Sequence, residues 1–344
     1  MKIIILSSDP NGEAALSITK AGKKRGHTME TLNPADLYLS ISDKESGLDR
    51  IYNGNKSLTE PSRIFASDVN AVIPRLGSNL DYACSVLDHF TDNLGIFSTQ
   101  QATGIQIASN KLKSIQKFSQ AKLKVPMTLM GDRAVHVKWM LEKVGGLPAI
   151  AKGLRGSQGN SVYPLKDEYQ SNVFLNNQYK RNENLLLQQF IDANSTDIRA
   201  IVIDNKVIVA MERKGQKGEL RANISQGGTG KKINLSSEDQ AICVNAANAV
   251  GLKCAGVDIM KDKSGTSYLI EINGNYGYKI ESITGVDIST PLIEYCERSY
   301  RNPGKPSVGE TKSKFFNQEN IIVQQEPTLL HQEILQRLVS KWNR

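Results

Sequence analysis

Late in the chain, two acidic side chains sit inside otherwise apolar, strand-like runs. They are Asp258 in Ala255-Gly256-Val257-Asp258-Ile259-Met260 and Glu271 in Tyr268-Leu269-Ile270-Glu271-Ile272-Asn273, joined by the turn-like Lys261-Asp262-Lys263-Ser264-Gly265. A carboxylate buried without a partner costs several kcal/mol or gives up its charge, so acids placed where a core valine would serve better call for a cation or a dense hydrogen-bond network. Period-two alternation puts Glu271 and Asn273 on one face of their strand, and a symmetric hairpin sets Asp258 across from Glu271. The result is a three-oxygen site. With no His or Cys nearby, hard oxygen ligands suit Mg²⁺ better than zinc, and Mg²⁺ held by one or two carboxylates usually completes its shell with nucleotide phosphates. The pattern implies an enzyme that handles ATP.

A chain of 344 residues, 39% hydrophobic and 23% charged, carries enough apolar material for two or three units with their own cores. The opening Ile3-Ile4-Ile5-Leu6 is far too short for a membrane span and lacks a signal peptide's cleavage region, so it reads as a first buried strand. Cys84, Cys243, Cys254 and Cys296 show neither paired metal spacing nor a disulfide framework, which fits a cytoplasmic setting. The net charge of +8 is spread out, with no basic tract longer than Lys23-Lys24-Arg25 and no aromatic platform beside it. That argues against nucleic acid as a partner and suits an anionic small substrate or an acidic protein tail.

Strand-like and helical patterns alternate at the start: a strand over 3–6, a helix over about 13–25, a strand over 28–32, and Ala71-Val72-Ile73-Pro74 leading into Arg75-Leu76-Gly77. Such alternation implies a small parallel sheet, whose ligands gather beyond the strand C-termini. Arg75 is therefore a candidate anion binder, with a solvated loop arginine as the alternative. A helix follows over about 100–118, containing Asn110-Lys111, and Val125-Pro126 marks a break. Next comes a strand ending in Lys152, a turn Gly153-Leu154-Arg155-Gly156-Ser157-Gln158-Gly159-Asn160, and another strand. Strand, glycine-rich turn, strand is the pattern of a flap whose backbone N–H groups approach phosphates, although a plain hairpin is written similarly. Asp197 to Ile203 and 207–211 form a hairpin turning at Asp204-Asn205. Arg213, Lys214 and Arg221 then string positive charge along a segment that can clamp a phosphate or stay a solvated loop. Ser236 caps a helix reaching about 250. Beyond 301, Pro, Gly, Ser and Lys suggest a linker, followed by a helix over 329–339 that packs on the protein or on a second subunit.

Taken in order, Lys111, Lys152 with its Gly-Ser-Gln-Gly loop, Gln188-Gln189-Phe190-Ile191, Asp197-Ile198-Arg199, Glu212-Arg213, Arg221-Ala222-Asn223, Gly256-Val257-Asp258 and Glu271-Ile272-Asn273 resemble an ATP-grasp ligase of the RimK family. The resemblance runs from Met1 to about Glu297. It implies an α/β (α+β) ATP-grasp fold with a small N-terminal parallel-sheet domain. The expected domains are 1–98, a lid subdomain over 99–186, a metal-bearing subdomain over 187–300, and the linker and helix over 301–344.

The resemblance also implies roles. ATP would be held by Lys111, Lys152, Gly156, Ser157, Gln158, Gly159, Gln189, Phe190, Asp197, Arg221, Ala222 and Asn223. Magnesium or manganese, as two ions, would sit on Asp258, Glu271 and Asn273. Arg213, Lys214 and Arg221 would serve the acyl phosphate, and Arg75, Arg213, Asn275 and Tyr276 the substrate. Arg199 has no assigned role. The implied reaction is ATP-dependent ligation of glutamate, or a related amino acid, to the C-terminal carboxylate of a protein or peptide by a homo-oligomer, either dimer or tetramer. Gly274-Asn275-Tyr276-Gly277-Tyr278 departs from the family's usual Ala-Ser-Pro-Gly after the ligand Asn, while Ser161 and Lys214 replace a Gly and an Arg. Rival readings are a ligase acting on a carrier protein or natural-product peptide, and a non-catalytic ATP-binding regulator.

Overall fold

The computed structural model describes residues 1–43, 49–56, 60–131, 136–156, 161–181, 183, 185–215 and 228–301. The linker and C-terminal helix expected beyond Arg301 lie outside the described residues.

Lys2–Ser7 is apolar in consecutive residues, as a strand covered on both faces must be, and Ile3, Ile4, Ile5 and Leu6 are fully buried. It lies inside a parallel sheet ordered Thr28–Leu32, Lys2–Ser7, Ala71–Arg75, Phe97–Ser98. Ile3 and Ile5 share a core with Ala15 and Ile18 of helix Glu13–Lys24 and Leu292 and Ile293 of helix Ser289–Arg301. Ile4 and Leu6 join the opposite core with Cys84, Val86 and Leu87 of helix Leu80–Asp88. A small antiparallel sheet, Leu37–Ser40, Arg50–Asn53 and Ser62–Ile64, is inserted between the second and third strands in sequence. Periodicity does not announce it, because strands of three or four residues are too short to show alternation.

The single helix expected over about 100–118 is two, Ala102–Ser109 and Lys111–Gln120. Asn110 divides them: it is extended (φ −112°, ψ 108°) and its side chain accepts the Lys113 N–H at 3.1 Å, capping the second helix. Asn110→Ala should lower the unfolding free energy by about 1 kcal/mol. A denaturant titration checks this, and an unchanged midpoint would show that the cap contributes nothing.

The next sheet is antiparallel and ordered Val162–Leu165, Ala149–Gly153, Leu185–Gln189, Thr128–Met130. The boundary expected between 186 and 187 falls inside Leu185–Gln189, all five residues of which pair with Ala149–Gly153. The strand belongs whole to this sheet.

The last sheet runs Thr229–Ile233, Lys206–Lys214, Thr196–Ile203, Cys254–Lys261, Ser267–Asn273. Asp204 and Asn205 both take positive φ (48° and 62°), the backbone that a two-residue hairpin with native twist needs. Alternation divides its faces. Ile198, Ala200, Val202, Val257 and Ile259 face a core shared with helix Ser237–Ala249, whereas Ile201, Ile203 and Cys254 face the core containing Ile3 and Ile5. Residues in step with the second set, Asp197, Arg199 and Asp258, therefore share its face further along the strands.

Candidate active site

Asp258 pairs in register with Glu271, as expected, but the hairpin is not symmetric. From Lys261↔Ser267 to Ile259↔Leu269 the ladder is regular; it then slips by one residue, so that Asp258 meets Glu271 rather than Ile270. A β-bulge of this kind leaves one residue unpaired. It lets Leu269 and Ile272 both face the helix-side core while Glu271 takes the opposite face beside Asp258. Without the offset, Glu271 would pair with Val257 and point into that core.

Around the acids the charges are interlaced. Arg199, also in register with Asp258, binds it through Nε to Oδ1 at 2.7 Å and Nη2 to Oδ2 at 2.6 Å. Arg213 binds Asp197 through Nε and Nη2 at 2.6 and 2.7 Å and reaches Asp258 Oδ2 at 3.1 Å. Burial pushes the carboxyl of Asp258 up, but Arg199 and Arg213 outweigh it and hold it below the usual range. Asp197 lies on the other side of that balance: burial raises it, with Arg213 pulling back and neighbouring Asp258 adding to the rise. Arg213 stays charged despite its burial because Asp258 and Asp197 flank it.

Lys111, the first residue of its helix, donates through Nζ to the Gly156 carbonyl at 3.0 Å and lies 3.5 Å from Glu271 Oε1. Gly156, with φ +131°, holds a backbone that side-chain-bearing residues rarely adopt. Lys152 donates to Gln188 Oε1 at 2.6 Å, and burial pushes its ammonium down to about 8. The structure thus gathers Lys111, Lys152, Gly156, Asp197, Arg213, Asp258 and Glu271 around one region. Gln189 fixes the start of the strand Thr128–Met130 region by donating its N–H to Met127 O at 2.8 Å and accepting from Met127 N–H at 3.3 Å; Phe190 beside it is half-buried. Lys214, the last residue of its strand, is exposed. Ser157, Gln158, Gly159, Arg221, Ala222 and Asn223 lie outside the described residues.

Two placements depart from the sequence reading. Arg75, expected at the substrate, is buried at the end of its strand and donates to the carbonyl of Tyr276, itself fully buried against it; Asn275 between sheet and loop is exposed. Arg199, left without a role, is the bidentate partner of Asp258; its period-two spacing from Asp197 was the signal that both share a face.

A divalent cation fits this donor set. Asp258 receives three N–H bonds, one fewer than the roughly four lone-pair sites of a carboxylate. Glu271 has one ion pair among the described residues, with Lys111 at 3.5 Å, and the Asn273 amide nitrogen is buried without a partner. Such an orphaned amide, which can turn its oxygen into the same position, needs a ligand. Among the described residues no three His, Cys, Asp or Glu side chains cluster, so the protein's own share is two carboxylates and an amide, with phosphates left to complete the shell.

The family model described as the RimK-like ATP-grasp domain matches residues 108–296, and that of the RimK PreATP-grasp domain matches residues 1–105. Two similar proteins carry the name probable alpha-L-glutamate ligase. One, from Trichodesmium erythraeum, is 34% identical over 90% of this chain and 99% of its own length. The other, from Haemophilus influenzae, is 35% identical over 86% of this chain and 97% of its own. Among solved structures, the ATP-grasp ligase PsnB complexed with minimal precursor, Mg and ADP superposes with a TM-score of 0.64 at 20% identity, covering 87% of this chain and 98% of that one. At that identity the likeness speaks for the fold alone.

Proposed function

Because the chain belongs to the RimK-like ATP-grasp family and is an ATP-dependent ligase, we propose that it joins the amino group of glutamate to the C-terminal carboxylate of a peptide or protein. The observation that carries this reading is the register of Asp258 with Glu271, beside Lys111 and the Lys152 strand, in a chain about a third identical to proteins named glutamate ligases. PsnB, which shares the fold, is itself bound to a minimal precursor together with Mg and ADP, the kind of complex this reading proposes.

In this reading the acceptor carboxylate attacks the γ-phosphate of ATP, an acyl phosphate forms, and ADP leaves; the amine of glutamate then attacks the acyl carbon and phosphate departs. A divalent cation held by Asp258, Glu271 and Asn273, one ion or two and Mg²⁺ or Mn²⁺, would supply charge neutralisation at the phosphates. Lys111 and Lys152 contribute positive charge, and Arg213, anchored by Asp197, presents a guanidinium whose geometry is set before substrate arrives. No nucleophilic side chain is required. Among the described residues no helix is long and apolar enough to cross a membrane, which is compatible with a cytoplasmic enzyme.

The test is ADP and phosphate release with Mg·ATP across single amino acids and peptides of differing C-termini, with mass spectrometry of the products. A glutamate-sized mass gain coupled one-to-one to ADP is expected. Nucleotide binding without turnover on any combination would overturn the ligase assignment and favour the regulatory alternative.

A further inference from the structure

Arg75 ends the third strand of the parallel sheet and is 4% exposed, yet its partners among the described residues are a carbonyl and two rings rather than an acid. Its Nη2 donates to Tyr276 O, its Nε is buried without a partner, and its guanidinium carbon lies 4.6 Å from the Tyr276 ring centroid and 5.2 Å from that of Tyr278. The rings themselves stack at 6.0 Å, 7° from parallel. A guanidinium enclosed against aromatic faces is held more strongly than one in water.

What those rings rest on decides the consequence. A Cβ added to Gly256 would come 2.7 Å from Tyr276 Cβ, so the loop lies directly on the strand that carries Asp258. Gly256 is also the register partner of Asn273. From the parallel sheet's end, Gln100 Nε2 donates to Gly274 O at 3.3 Å, and a Cβ on Gly77 would come 3.1 Å from Asn275 Nδ2. The loop 274–278 is thus wedged between the first sheet and the last, directly after the third expected metal ligand.

We propose that Arg75 is a positioning residue for the nucleotide–metal site rather than a contact for substrate: it clamps the loop 274–278 onto Gly256 and thereby sets the amide of Asn273 beside the acid pair. This rests on the ligase reading above. Losing a group that holds metal ligands in place typically costs about 10- to 100-fold in metal affinity or activity. The departure of this loop from the family's usual sequence is accounted for in the same way, since Tyr276 and Tyr278 provide the two faces that accept an arginine.

The experiment compares full-length Arg75→Met, Arg75→Lys and Gly256→Ala, the last of which pushes the loop from the opposite side without touching Arg75. Titration calorimetry with Mg²⁺ and a non-hydrolysable ATP analogue should show binding weakened roughly 10- to 100-fold in Arg75→Met and Gly256→Ala, and partly restored in Arg75→Lys. KM for glutamate should stay within about twofold, since uniform substrate binding is untouched. Nucleotide binding at wild-type strength together with a raised KM for amino acid or acceptor would overturn the proposal and make Arg75 a substrate ligand. Should Arg75→Met fail to fold, Gly256→Ala and Tyr278→Leu carry the same comparison. Because the readout is binding, it judges the clamp even if no ligase substrate is found.

Discussion

Asp258→Asn is expected to abolish ADP formation and to lower stability by about 3–5 kcal/mol, the range for removing one partner from a buried ion pair. Asp258 is 5% exposed and accepts from both Arg199 and Arg213, so an amide in its place leaves two guanidinium groups facing an NH₂. Glu271→Gln should lose turnover to the same extent with a stability change under about 1 kcal/mol. Its side chain is 28% exposed and its only ion pair among the described residues, with Lys111, spans 3.5 Å. Urea unfolding run beside an ADP-release assay separates the two effects. Equal stabilities for both variants would count against a charge network centred on Asp258, and persistent turnover in either would remove its part in the phosphate chemistry.

The second large effect is on pH. Lys152 holds its proton weakly because burial pushes it down to about 8, with Glu271 pulling it back and Lys111 pushing it further down. If Lys152 holds the phosphates as proposed, nucleotide affinity should fall as pH rises through about 8, by at most roughly tenfold per pH unit, as its ammonium is lost. Lys152→Arg, which keeps its charge, should flatten that limb. Fluorescent nucleotide titrations between pH 7 and 9.5 are sufficient, and a flat wild-type profile would rule the effect out. Stability carries the opposite sign. The unfolded lysine titrates near 10.4, so between about 8 and 10.4 the unfolded chain binds more protons, and the cost of enclosing the charge, full below 8, is relieved as pH rises.

Much of this was readable beforehand because the relevant signals are local. A continuous run such as Ile3 to Leu6 has few ways to be buried other than in a two-sided sheet, and an acid between Val257 and Ile259 demands compensation wherever it lies. Turn chemistry at Asp204-Asn205 and the Ser236 cap are similarly short-range. What escaped depends on geometry that sequence alternation does not encode. A strict period of two puts Leu269, Glu271 and Asn273 on one face; the one-residue offset instead pairs Leu269's face with that of Ile272. Asn110 looked like one more residue of a long helix because capping is a backbone decision. Arg75 reads as a candidate anion binder or a solvated loop arginine, because the rings that enclose it come from about two hundred residues away. Arg199 became meaningful only once the strand register set it opposite Asp258.

The offset in the acid-bearing hairpin also bears on how such a chain tolerates change in length. Substitutions can alter which acid stands at a position, but only a change in residue number moves a side chain from one face of a sheet to the other. Here the extra residue lies between the turn and Glu271, so the tip over 262–266 is insulated from the acids. Insertions there extend a surface loop at little cost. A single residue gained or lost between Glu271 and Asn273 reverses Asn273 relative to its partner acids. Across the lineage, gaps should therefore collect at the hairpin tip and be missing from the three residues that follow Ile270.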